Sequence, residues 1–170
     1  MNNKIINITG KHNIDKLTKT KSKREIVNIM DLEESEYEHK SQVYMINQYF
    51  LDSSCNSDKY LLRELKNKLN SYKGQDRKKE IYDEHFFISL DKVIEKLVES
   101  KLKCYYCKEN VLIFYKHIRE KKQWTLDRID NDEGHNMENC VIACLSCNIQ
   151  RKTLNDEKFK FTKQMKIIKM

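Results

Sequence analysis

Proline is absent from the 170 residues and glycine occurs three times. With so few residues suited to sharp turns, the chain is expected to be rich in helix. Long apolar runs are missing too. The densest is Val111-Leu112-Ile113-Phe114-Tyr115, well short of the roughly 18–20 residues that cross a bilayer. Met1–Asn7 is too polar for a secretory core, so an intracellular protein without a membrane span is expected. Apolar residues make up only 39% and charged residues reach 35%, which implies a modest core and a strongly solvated surface. The net charge of +7 favours a polyanionic partner.

Six cysteines in such a chain argue against disulfides, because a reducing compartment keeps thiols reduced. Four of them form two C-x-x-C pairs, Cys104/Cys107 and Cys144/Cys147. Each pair can turn both sulfurs toward one ion, and four soft thiolates without an open position describe a structural zinc site. A redox C-x-x-C is the rival for either pair alone. Cys55 and Cys140 are left over and read as small buried residues.

Residues 1–22 read as a mobile basic arm, and 23–85 as a mostly helical region that begins with an acidic cluster at Asp31–Glu38. Leu61, Leu62, Leu65, Leu69 and Tyr72 recur at helical spacing behind a possible Ser57 cap, and Gly74 should end that helix. A second stripe, Leu90, Val93, Ile94, Leu97, Val98 and Leu102, follows Ser89 and leads into Cys104. Val111–Tyr115, Trp124–Arg128 and Val141–Ala143 look like strands, and a short helix should follow with Asn148, Arg151 and Lys152. The last 20 residues carry seven Lys/Arg against two acids. Phe159, Phe161, Met165, Ile167 and Ile168 there are expected to dock on the core.

The 36 residues between the cysteine pairs carry Leu126-Asp127-Arg128-Ile129-Asp130-Asn131, then Gly134-His135-Asn136 and Asn139, and Asn148 follows the last cysteine. Pinning this segment at both ends can bring the Asp127 carboxylate and the Asn148 amide oxygen to one hard divalent ion. Turn residues and a helix cap are the plainer reading of each residue alone.

Over about Ser89–Thr153 this combination resembles the HNH endonucleases, especially the Leu-Asp-Arg-Ile-Asp-Asn and Gly-His-Asn variant of large DNA viruses and phages. The resemblance implies an α+β fold: a ββα-metal unit with structural zinc over residues 86–156, preceded by the helical region and followed by a basic tail at 157–170. It implies that Asp127 and Asn148 hold a catalytic Mg²⁺ or Mn²⁺, that Asn139 orders the loop, and that Cys104, Cys107, Cys144 and Cys147 bind zinc. The implied activity is metal-dependent hydrolysis of DNA phosphodiester bonds, in double-stranded DNA, within the cytoplasm, nucleus or a viral factory.

Arg128 stands where the family carries its general-base His. A guanidinium stays protonated, so Arg128 is expected to clamp the phosphate instead. The base is then His135, a metal-bound water, or nothing; His117 is a weaker candidate, and His12, His39 and His85 read as surface residues. Arg151, Lys152, Lys158 and Lys160 are expected to contact DNA phosphates. The alternatives are a catalytically inactive zinc-containing DNA-binding module with the same fold, and a zinc-stabilised protein-interaction domain.

Overall fold

The computed structural model describes residues 9–18, 32–52 and 58–165. Cys55, Ser57, Asp31, Ile167 and Ile168 lie outside them. The chain is mixed, with six α-helices, a 3-10 turn and one small antiparallel sheet among the described residues. Helices α1 (Lys11–Thr18), α2 (His39–Leu51) and α3 (Asp58–Lys78) precede α4 (Leu90–Glu99). Strands β1 (Trp124–Arg128) and β2 (Cys140–Cys144) follow, then α5 (Leu145–Arg151) and α6 (Asp156–Gln164). Part of the segment expected to be an arm is thus α1. No helix among the described residues is long and apolar enough to cross a membrane.

Helix α3 buries Leu61, Leu65, Leu69, Tyr72 and Asp76 along one stripe. It runs through Gly74, contrary to the expected break. Glycine costs a helix interior about 1 kcal/mol, and burial of the stripe on both sides of Gly74 outweighs that. Helix α4 starts as expected: Ser89 Oγ accepts from Lys92 N at 3.3 Å, and Val93, Ile94 and Leu97 are buried.

Val111–Tyr115 is not a strand. Only Leu112 pairs strand-like, in one isolated bridge to Gln123; Val111 N donates to Leu102 O, and Ile113 N and Phe114 N both donate to Gln42 Oε1 at 2.7 and 3.1 Å. Gln42 of α2 is itself 1% exposed and returns a bond to Phe114 O. Burial of Val111, Ile113 and Phe114 accounts for the strand-like apolar pattern.

Strands β1 and β2 pair from Trp124↔Cys144 to Arg128↔Cys140. Every residue of β1 is buried. Helix α3 covers it from the N-terminal side, where Tyr72 Oη accepts from Leu126 N at 3.0 Å and Lys68 Nζ donates to Trp124 O at 2.5 Å. One hydrophobic cluster therefore spans α2, α3, α4 and the sheet, and packing crosses the boundary expected at residue 85.

The tail departs from expectation. Phe159 of α6 packs edge-on against Tyr106, whereas Phe161 is 70% exposed and Met165 49% exposed.

Candidate metal centre and the polar site beside it

The four cysteines come from three places: a turn after α4 (Cys104, Cys107), the end of β2 (Cys144) and α5 (Cys147). In that turn Lys108 takes φ +62° and its N–H bonds Cys104 O at 3.0 Å. Tyr105 N donates to Ile142 O, tying the turn to β2. Cys144 caps α5, its Sγ accepting from Cys147 N at 3.4 Å.

All four Sγ atoms lie within 4.8 Å of one another, and Cys107 Sγ is 3.9 Å from Cys144 Sγ. A tetrahedral ion with metal–sulfur bonds of about 2.3 Å needs sulfurs roughly 3.8 Å apart. The cluster can hold a metal ion, and four thiolates suit zinc. Hydrogen bonding from Cys144 pulls the Cys104 thiol down to about 5, whereas burial pushes Cys147 up to about 12. Donation to Cys104 raises Cys144. Each further negative sulfur is resisted by those already present, a resistance that a divalent cation removes. Cys140 is separate: burial pushes its thiol up to about 12, making it an inert core residue.

Asp127 on β1 is 5% exposed, and its carboxylate is heavily used. Oδ2 accepts from Tyr106 Oη and from Arg151 Nε, each at 2.6 Å, and Oδ1 accepts from Arg151 Nη2 at 3.2 Å. Arg151 is 1% exposed and also donates to Leu154 O, Arg128 O and Asn131 Oδ1. This corrects its expected place at the surface: the guanidinium is enclosed by carbonyls and a carboxylate and braces the interior. Burial works against its charge, but Asp127 holds it above its ordinary value.

Asn148 lies one helical turn before Arg151 and over the same strand. Its Nδ2 donates to Thr125 Oγ1 at 3.1 Å and to Leu126 O at 3.2 Å. Asn139 holds the loop: Oδ1 accepts from Asp130 N at 2.7 Å, while Nδ2 donates to Asp130 O and Gly134 O. Lys152 and Lys158 are exposed; Lys160 is half-buried with Nζ 3.8 Å above the Tyr105 ring.

Arg128 is 8% exposed and turned inward. Its Nη1 donates to Glu133 O at 2.9 Å and lies 3.6 Å from Asp76 Oδ1, so the expected phosphate clamp is instead a brace inside the loop.

His135 meets the same Asp76. Its Nδ1 is 2.7 Å from Asp76 Oδ1, its backbone N donates to Oδ2 at 2.7 Å, and its ring lies 4.6 Å from that of Tyr72. The adjoining Gly134 is required here, because a Cβ would sit 2.6 Å from Ile81 O. An ionised Asp76 only accepts, so the proton resides on Nδ1 and leaves Nε2 with a lone pair. The ring is 4% exposed and borders a cavity of about 440 Å³ whose other walls include Asp83, Asp132, Glu133 and Glu138. His117 and His85 are exposed, but His39 is half-buried and bonded to Leu102 O at 3.0 Å rather than free at the surface.

Burial lowers the His135 pKa from 6.5, outweighing the pull of Asp76. The unfolded chain then binds the proton more readily than the fold does, so stability is full above the unfolded value and falls as pH drops through 6.5 toward the lower folded value. Urea titrations between pH 7.5 and 5 should show this decline, with a shallower slope in His135→Gln.

Asp76, Tyr106 and Lys68 were not among the expected site residues. Asp76 had a signal, an acid four residues beyond Tyr72 on a buried helical stripe. The other two had none.

No family model and no solved structure matches the chain. A stretch of 65 residues, 38% of the chain, is 45% identical to an uncharacterized protein of Acanthamoeba polyphaga mimivirus. That stretch is 10% of the viral protein, so the chain spans only a small part of its relative's length.

Proposed function

We infer that the chain is a zinc-braced, metal-dependent endonuclease of the HNH type, hydrolysing DNA phosphodiester bonds. The observation that carries this reading is the seating of Asp127 and Asn148 along one strand beneath α5, beside the four-cysteine cluster, with acceptor capacity in reserve. A carboxylate oxygen has two lone pairs. Asp127 Oδ1 accepts a single bond, and Asn148 makes both its side-chain bonds through Nδ2, among the described residues. These two oxygens would hold Mg²⁺ or Mn²⁺, and the ββα-metal arrangement is the fold this implies for β1, β2 and α5.

When bound, the ion supplies Lewis-acid stabilisation of charge on the phosphate. Tyr106 and Arg151 fix the Asp127 carboxylate in one orientation. His135 is the imidazole this reading has for accepting a proton, through Nε2. Lys152, Lys158 and Lys160 supply sequence-independent phosphate contacts. The test is nicking of supercoiled plasmid with Mg²⁺ or Mn²⁺. Asn148→Ala should lower the rate by roughly a hundredfold or more while keeping zinc content and circular dichroism. Undiminished nicking contradicts the proposal. His135→Gln decides the base, since an unchanged rate confines that residue to the loop.

Two observations favour a second reading, a DNA-binding module without catalysis. Asp127 already has a full counter-charge in Arg151, and Arg128 is withdrawn from the surface. Salt-sensitive DNA binding with no metal-dependent nicking would establish it.

A further inference from the structure

The part of β1 that Asn148 of α5 bonds to borders a second cavity, of about 360 Å³, beneath α3. Its walls include Lys68, Ser71, Gln75, Gln123, Thr125 and Asn148. Every one of these is a neutral hydrogen-bonding side chain except Lys68, which makes this cavity the electrostatic opposite of the acid-lined one beside His135.

Lys68 is an unusual wall residue. Its Nζ donates to Gln123 Oε1 at 3.2 Å and to Trp124 O at 2.5 Å, and it lies 4.8 Å from the Trp124 ring centroid and 5.3 Å from that of Tyr115. No carboxylate lies within ion-pair distance of it among the described residues; the nearest influence of that sign is Glu64, one turn earlier on α3, which accepts from Tyr115 Oη at 3.3 Å and attracts Lys68 through space. An ammonium has three donors, and two are used here. Keeping a half-buried cation beside carbonyls and rings is costly, and Glu64 offsets that cost only from beyond ion-pair distance. Burial draws its pKa down to about 8, against the opposing attraction of Glu64. An anion in the cavity would offset that cost directly.

We propose that this cavity is a phosphate subsite, in which Lys68 of α3 binds a non-bridging oxygen of a nucleic-acid backbone phosphodiester next to Asn148. The inference rests on the nuclease reading for the identity of the occupant, and on the cavity alone for its charge. It makes the helical region before residue 85 part of the substrate site. Ser71 and Gln75 are exposed at the mouth, whereas Thr125 is buried at the base, so a backbone phosphate enters from the α3 side.

The test is titration calorimetry on the full zinc-loaded chain without added Mg²⁺ or Mn²⁺, using a thymidine dinucleotide with one phosphodiester and, separately, inorganic phosphate. Dinucleotide binding should weaken by about tenfold or more in Lys68→Met, the scale of one charge-assisted hydrogen bond. It should recover in Lys68→Arg and weaken again in Gln75→Glu, which adds an anion at the exposed mouth without touching the core. Lys92→Gln on α4 removes a charge outside the cavity and should change nothing.

Equal affinity of Lys68→Met and wild type overturns the subsite, as does equal weakening by Lys92→Gln or the absence of dinucleotide binding. Binding of inorganic phosphate with exclusion of the dinucleotide overturns the backbone assignment. The two proposals fail separately. Dinucleotide binding lost in Lys68→Met, in a wild-type protein that nicks nothing, upholds the subsite and refutes the nuclease. Nicking with dinucleotide affinity insensitive to Lys68 does the reverse.

Discussion

Cys147→Ser is expected to abolish cooperative unfolding of the segment from Cys104 to Arg151. The sheet has only two strands and α5 only seven residues, too little to stand without outside support. Structural zinc contributes on the order of 10–16 kcal/mol of apparent binding energy, comparable to the 5–15 kcal/mol total stability usual for a domain. Losing one thiolate removes a large part of it. Trp124 is the sole tryptophan, fully buried and paired with Cys144. Its fluorescence should shift to the red in Cys147→Ser and in chelator-treated wild type, and zinc should reverse only the second. A variant that keeps a native emission spectrum and a single sharp transition would show that the fold does not need the ion.

Arg151→Met should destabilise the fold by about 3–5 kcal/mol, the usual consequence of stranding one member of a buried ion pair. The side chains of Arg151 and Asp127 are 1% and 7% exposed, and removing the guanidinium leaves a buried carboxylate with only Tyr106 to satisfy it. It also strips partners from Leu154 O and Arg128 O. Asp127→Asn should cost a similar amount for the converse reason. In the double variant Asp127→Asn/Arg151→Met the costs should fall well short of additive, because no unpaired charge remains. Urea midpoints for the four proteins check this; strict additivity would mean that the pair carries no coupling.

Local chemistry made some of the molecule legible in advance. Two C-x-x-C pairs are chelating units whatever surrounds them. The stripes on α3 and α4 follow from helical periodicity, and β1 coincides with the strand-like segment Trp124–Arg128. Failures arose where a residue's partner is distant in the chain. Nothing near Val111–Tyr115 says that Gln42 will take its backbone hydrogens. Arg151 stands in a basic run and reads as a surface charge until Asp127 is seen 24 positions earlier in the chain, bonded to it at 2.6 Å. Arg128 and His135 likewise acquired their roles from Asp76, some 50 to 60 residues upstream and on another element. The expected tail docking failed at Phe161 because alternate aromatics on α6 point to different sides, and only Phe159 meets the core.

X-ray absorption at the zinc edge on the purified chain tests the brace on which the rest depends. One zinc per chain, with a shell of four sulfurs at about 2.3 Å that is lost in Cys147→Ser, is the predicted result. A protein free of zinc, or zinc bound through nitrogen and oxygen instead of sulfur, would contradict it.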